Sequence, residues 1–209
     1  VNATITTAGA GAINIGATTA GSALKTVSIT STSTAEVNVG AITHGSATSA
    51  ALTSYTINTT GINGAGNDFG VLDVGSVSTG SIGTYSVTTG ASAQTNTYDD
   101  IIAGSITTMS ITTGDGGGTH TFDTLAAIGT IGSLSITTAD TVTFTTGATA
   151  TTSIGSIGVV MSGTSAAVDI GTMGASGSSI GDITVSGAGA FTMTAGAALS
   201  VGAVSTSAV

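Results

Sequence analysis

Residues 131–138 read Ile-Gly-Ser-Leu-Ser-Ile-Thr-Thr, and this octet decides the fold. Apolar residues occupy its first, fourth and sixth positions, and two small polar residues close it. The outline returns as Leu-Lys-Thr-Val-Ser-Ile-Thr-Ser from Leu24, Leu-Thr-Ser-Tyr-Thr-Ile-Asn-Thr from Leu52 and Ile-Gly-Thr-Tyr-Ser-Val-Thr-Thr from Ile82. It returns again from Ile106, Ile154 and Ile180, with partial copies over residues 3–7 and 201–204. The first positions fall at 24, 52, 82, 106, 131, 154, 180 and 201, in steps of 21 to 30 residues. A period of this length marks a repeat architecture.

A shorter apolar pulse follows each motif: Ile13/Ile15, Val37/Val39, Phe69/Val71, Tyr98/Ile101, Phe122/Leu125, Val142/Phe144, Val168/Ile170 and Phe191/Met193. Most of these alternate in period two, so they read as a second strand. Gly-rich links such as Gly114-Asp115-Gly116-Gly117-Gly118 separate the pulses and suit tight corners. Gly, Thr, Ser and Val all disfavour helix. A unit of about 25 residues cannot bury its own apolar face, whereas stacked units can. The expected fold is therefore all-β: one parallel β-solenoid (β-helix) of about eight to nine coils of about 25 residues, spanning residues 1–209 as a single domain or as a segment of a longer solenoid.

Stacking turns motif positions into files. One inward file should hold Ala3, Val27, Tyr55, Tyr85, Met109, Leu134, Ile157, Ile183 and Val204. The next should hold Ile5, Ile29, Ile57, Val87, Ile111, Ile136, Val159 and Val185. Between them, an outward file of Thr4, Ser28, Thr56, Ser86, Ser110, Ser135, Gly158 and Thr184 is expected. Beside it runs an outward ladder of Thr6, Thr30, Asn58, Thr88, Thr112, Thr137, Val160 and Ser186. The coil at Ile154 interrupts both outward files with Gly158, Val160 and Met161. Exposed apolar residues there mark a candidate subunit contact, or else the alignment slips by one register. Thr4, Ile5 and Thr6 at one end, and Val201 and Val204 at the other, are candidate end-to-end contacts, because bare terminal coils expose strand edges.

Composition narrows the function. The chain has 33 Gly and no Pro, Cys or Trp; charged residues are 5% and aromatics 3%. The formal net charge is −9, and Lys25 is the one basic Lys/Arg side chain. Nucleic acid and anionic membrane surfaces are excluded as partners, since both are bound through Lys and Arg. No run of about 20 apolar residues is present, so no membrane-inserted helix is expected. His120 lies three residues before Asp123, which puts the two on opposite faces of a strand and argues against a catalytic dyad. His44, with no acid nearby, reads as a loop residue. Scattered acids and the lack of Trp disfavour a polysaccharide-cleaving groove, and the chain is read as a non-enzyme.

Gly64-Ala65-Gly66-Asn67-Asp68-Phe69 resembles half of a calcium-binding RTX nonapeptide, and Gly114-Asp115-Gly116-Gly117-Gly118 echoes it loosely. Tandem copies, which let adjacent turns share each ion, are missing. The fragments read first as turns, with no cofactor expected; calcium, if bound, would fall to Asp68, Asp99, Asp100 and Asp115. The repeated motif, its Thr/Ser/Ala/Gly bias and the near absence of Lys and Arg resemble secreted bacterial β-solenoids of the surface-layer, RTX-adhesin and extracellular-filament type. That resemblance implies export, a cell-surface location and self-assembly with further copies, often with calcium. A structural subunit of a filament, sheath or layer is the first expectation. The alternative is an ice-binding or glycan-binding adhesin that uses the Thr/Ser rows on a flat face.

Overall fold

The computed structural model describes residues 1–21, 23–44, 50–60, 66–74, 79–91, 93–124, 128–146, 153–163, 165–173, 178–195 and 199–208. Every regular element among them is a strand, and every strand pair is parallel. Leu125, Gly64 and Ala65, singled out from the sequence, lie outside the described residues.

The octet motif forms the main path of the first sheet. Its strands are Asn2–Thr7, Thr26–Ser31, Ala51–Thr59, Ser81–Thr89, Ile101–Thr112, Ile128–Thr138, Ser153–Met161 and Ser179–Gly187. A last rung, split into Ser200–Val201 and Val204–Ser207, pairs with the Ser179–Gly187 strand. The second pulse forms a sheet of eight strands: Ile13–Ile15, Val37–Val39, Asn67–Phe69, Thr95–Tyr98, Thr119–Thr124, Thr141–Thr146, Ala167–Met173 and Ala190–Ala195. Nine rungs on one wall and eight on the other make a β-solenoid of the expected period. At the usual inter-strand spacing its eight steps span roughly 40 Å.

The expected files are present in register. Ala3 pairs with Val27, Val27 with Tyr55, Tyr55 with Tyr85, and so on to Ile183 with Val204. Gly158 lies on Ser135 and Val160 on Thr137, so the break at Ile154 is real and no register slip occurs. Inward members between the two end rungs are almost wholly buried: Ile57, Met109 and Ile136 are 0% exposed. Tyr55 and Tyr85 stack with centroids 5.5 Å apart and planes 7° from parallel, a contact worth about 0.5–1.5 kcal/mol beyond burial. The facing wall carries a longer ring ladder. Phe69, Tyr98, Phe122 and Phe144 follow one another at 5.2, 4.3 and 5.0 Å.

Two features depart from the expectation of two strands per coil. A third, short sheet joins Thr18–Ala20, Ile42–His44, Leu72–Asp73 and the start of Ile101–Thr112. Ile101 therefore pairs with Leu72 on this third wall and does not share a strand with Tyr98. His44 is no loop residue: it is fully buried in the third sheet, and its Nε2 lies 2.6 Å from the Leu24 carbonyl oxygen. The final polar residue of each octet also turns inward. Ser31, Thr59, Thr89, Thr113 and Thr138 form a buried hydroxyl file, in which Thr113 Oγ1 lies 2.6 Å from Thr138 Oγ1.

The recurring Ile-Gly of the motif has a steric cause. A Cβ at Gly83 or Gly132 would stand 2.5 Å from the carbonyl oxygen of Thr53 or Thr107 in the preceding coil. At Gly155 and Gly181 it would be closer still to the carbonyl oxygens of Gly132 and Gly155. Backbone meets backbone along this file, and nothing there can yield except the coil spacing. Gly155→Ala should therefore lower stability by about 1–3 kcal/mol, the usual cost of overpacking. Exposed Ser135→Ala should stay within about 0.5 kcal/mol. Urea denaturation followed by circular dichroism measures both.

Candidate functional site

The inner wall of the second sheet carries an unexpected polar file. Alternation along this wall puts the aromatic ladder at one inward position and, two residues earlier, Asn67, Asn96, His120 and Val142 at the next. Asn67, Asn96 and His120 are 4%, 0% and 0% exposed. Burying such groups is costly unless each finds a partner, and here they find each other. The Val37 N–H donates to Asn67 Oδ1 at 3.0 Å, and Asn67 Nδ2 donates to Asn96 Oδ1 at 2.6 Å. Asn96 Nδ2 lies 3.4 Å from His120 Nδ1, and His120 Nε2 lies 3.5 Å from Asp140 Oδ2. The last two contacts are at the long end of hydrogen bonding.

Asp140 ends the ladder and is itself 1% exposed. Its Oδ1 accepts the N–H groups of Gly116 and Gly117 at 3.0 and 2.7 Å. Gly117 has φ +72, a conformation that costs glycine little and helps aim successive N–H groups at one anion. Thr138 Oγ1 accepts the Asp140 N–H and donates to the Asp140 carbonyl, both at 2.9 Å. The carboxylate is thus held by the Gly-rich link and by the inward hydroxyl file together. Burial pushes the His120 imidazole below its ordinary pKa, and the Asp140 contact offsets that only in part.

His120 meets Asp140 and not Asp123, as the alternation of the strand requires. Asp123 is exposed on the outer face of the same strand. Asn67, Asn96 and Asp140 were missed as a set. A signal was available for two of them: aligning Phe69, Tyr98, Phe122 and Phe144 as one file puts Asn67, Asn96 and His120 in another. Nothing local marks Asp140, which lies in the bend between two strands.

The acidic candidates are brought together only in part. Asp68 and Asp99 line an open groove of about 310 Å³ with Glu36, Asn38, Asn67 and Thr97. Asp99 is pushed above the usual carboxylate range, first by partial burial and then by the charges of Asp68, Asp123 and Asp100. Asp100 does not line the groove, and neither does Asp115, which is exposed in the Gly-rich link. Among the described residues, no three His, Cys, Asp or Glu side chains stand close enough to hold one metal ion.

The proposed contact residues divide by face. Thr4 and Thr6 are exposed and Ile5 is half-buried on the edge strand. Val160, Val201 and Val204 are 48%, 36% and 63% exposed. Met161 is corrected: strand alternation turns it inward, onto Thr138, and it is 3% exposed. In the outward ladder Thr112 and Thr137 are exposed, and Thr30, Asn58 and Thr88 are half-buried. Among the described residues no helix is long and apolar enough to cross a membrane. No family model, curated protein or solved structure matches the chain.

The buried imidazole sets a pH dependence. Its folded pKa lies below the unfolded value of about 6.5, so the unfolded chain binds the proton more tightly. Stability from this site is complete above about pH 6.5 and is lost as the pH falls from there toward the folded pKa. The melting temperature should hold between pH 8 and about 6.5 and then decline toward pH 5. His120→Asn, which extends the amide ladder without a titratable ring, should flatten that decline in calorimetry.

Proposed function

We propose that this chain is an extracellular structural protein, a self-assembling subunit of a filament, sheath or surface layer. One observation supports this reading above the others. The first and last rungs of the first sheet hold equivalent positions, with Ala3 and Val204 in one file. Among the described residues the Asn2–Thr7 strand pairs with Thr26–Ser31 alone, and the Val204–Ser207 strand with Ser179–Gly187 alone. A second copy can continue the stack in the same register, with Ala3 over Val204 and Thr4 over Ser205. Such a contact is head-to-tail and does not close on itself, so it propagates. Unpaired N–H and C=O groups on each edge drive the pairing. Val160, exposed within a hydroxyl file, offers a point for lateral association.

A second reading has its own support. The outward files of the first sheet keep strict register over most of the stack, from Thr4/Thr6 through Ser110/Thr112 to Ser135/Thr137. A flat array of hydroxyls suits ice or a surface glycan. Gly158 and Val160 interrupt it.

Negative-stain microscopy and light scattering of the purified chain separate these readings. Unbranched filaments one solenoid wide should appear as concentration rises. Ile5→Lys, which puts a charge on the edge strand, should shorten or abolish them. A strictly monomeric rod at every concentration overturns the assembly reading. Freezing-point hysteresis from such a monomer would favour the ice-binding alternative.

A further inference from the structure

The buried amide–imidazole ladder has a direction, and rigid donors set it at both ends. At one end is the Val37 backbone N–H; at the other are the N–H groups of Gly116 and Gly117. A backbone donor cannot be reversed by rotating a side chain. Asn67 must therefore turn its oxygen to Val37 and its nitrogen to Asn96. Asn96 then turns its nitrogen to His120. A donor facing Nδ1 makes that nitrogen an acceptor, which leaves the ring proton on Nε2, pointing at the Asp140 carboxylate. Every group in the file is satisfied in this one polarity.

We propose that the ladder is a polarised relay: it holds His120 neutral with its proton on Nε2, and a proton added to Nδ1 reverses both amides as far as Val37. The reversal follows from donor counting. A proton taken from solvent onto Nδ1 makes that nitrogen a donor, so Asn96 must present its oxygen. Asn96 Nδ2 then faces Asn67, which must present its own oxygen and turn Nδ2 toward the Val37 N–H. Two donors meet there, and the bond to Val37 is lost. Acid at His120 thereby loosens a coil three rungs away through side chains alone. This coupling does not depend on the assembly reading.

The groups facing His120 leave few other ways to accommodate the proton. Asp140 is the one charged group that shifts its titration. Val142 and Asn96, its neighbours along the file, carry no charge. Tyr98, in the adjacent inward file, is buried and held neutral. Asp123 points out from the same strand, and His44 belongs to the third sheet.

Nitrogen-15 labelling of histidine tests this directly, since the chain has two His residues and His120→Asn assigns the signals. Long-range proton–nitrogen correlation should place the His120 proton on Nε2 at pH 7 and keep it there below pH ~6.5. Asn67→Asp removes the N–H that polarises the file, so Asn96 should reverse and His120 should take a second proton. Its proton affinity should rise at least about tenfold, one pKa unit. In Asn67→Asp/Asn96→Leu the charge remains but the path is cut, and the rise should vanish. A rise that persists in the double variant is through-space attraction and overturns the relay. So does a wild-type proton on Nδ1. If Asn67→Asp does not fold, Asn96→Asp applies the same reversal one coil nearer. A neutral His120 in that variant overturns the proposal as well.

Discussion

Everything in this molecule depends on parallel stacking at one fixed interval. When coil lies on coil with no change of register, each side chain rests on the residue at the same motif position, roughly 4.8 Å away. Like therefore meets like. Ile and Val tolerate this because branched chains interdigitate with their own kind. Rings tolerate it by lying nearly flat on one another, as Phe69, Tyr98, Phe122 and Phe144 do. Amides tolerate it because each has a donor on one side and an acceptor on the other, as Asn67 and Asn96 do. Charges do not tolerate it. Asp68, Asp73, Asp169 and Asp182, paired within strands, each face an uncharged residue on the neighbouring rung. Asp99, partly buried and beside Asp68, becomes harder to ionise, first through burial and then through the neighbouring charge.

Much of this was legible in the sequence because the octet fixes register as well as period. Placing Ile29 under Ile57 needs only two motif copies, and the remaining first-sheet files follow. What failed to read through lies where the chain turns. The third sheet is built from strands of two or three residues around its corners, too short to show alternation. Ile101 accordingly looked like the tail of the second pulse, and its partner Leu72 was not singled out at all. Met161 was misplaced for a different reason. The octet's last position is polar in nearly every other copy, so its inward direction is hidden until the hydroxyl file is seen. There, Met161 takes the place of Thr138 in the next rung.

The polar interior was the hardest to anticipate. An Asn in a strand normally reads as a turn or an exposed position, and the acid nearest His120 in sequence, Asp123, falls on the other face of its strand. Parallel stacking brings together residues more than twenty positions apart, Asn67 with Asn96 and His120 with Asp140. No local window contains both partners. Asp140 reaches its place because Thr138 shapes the bend around it and because Gly116 and Gly117 offer their N–H groups from the preceding coil.

The uneven step between rungs carries a consequence of its own. Steps of 21 to 30 residues produce the same first-sheet rungs, so differences in coil length are absorbed outside the octets, one of them as a register shift between Asp169 and Thr172 in the second sheet. Extra residues at a corner leave the files untouched, whereas one extra residue within an octet would send every later side chain of that strand to the wrong face. Rod length is then counted in whole coils, like links in a chain, and the lineage of such a protein can lengthen or shorten it by copying or dropping single links.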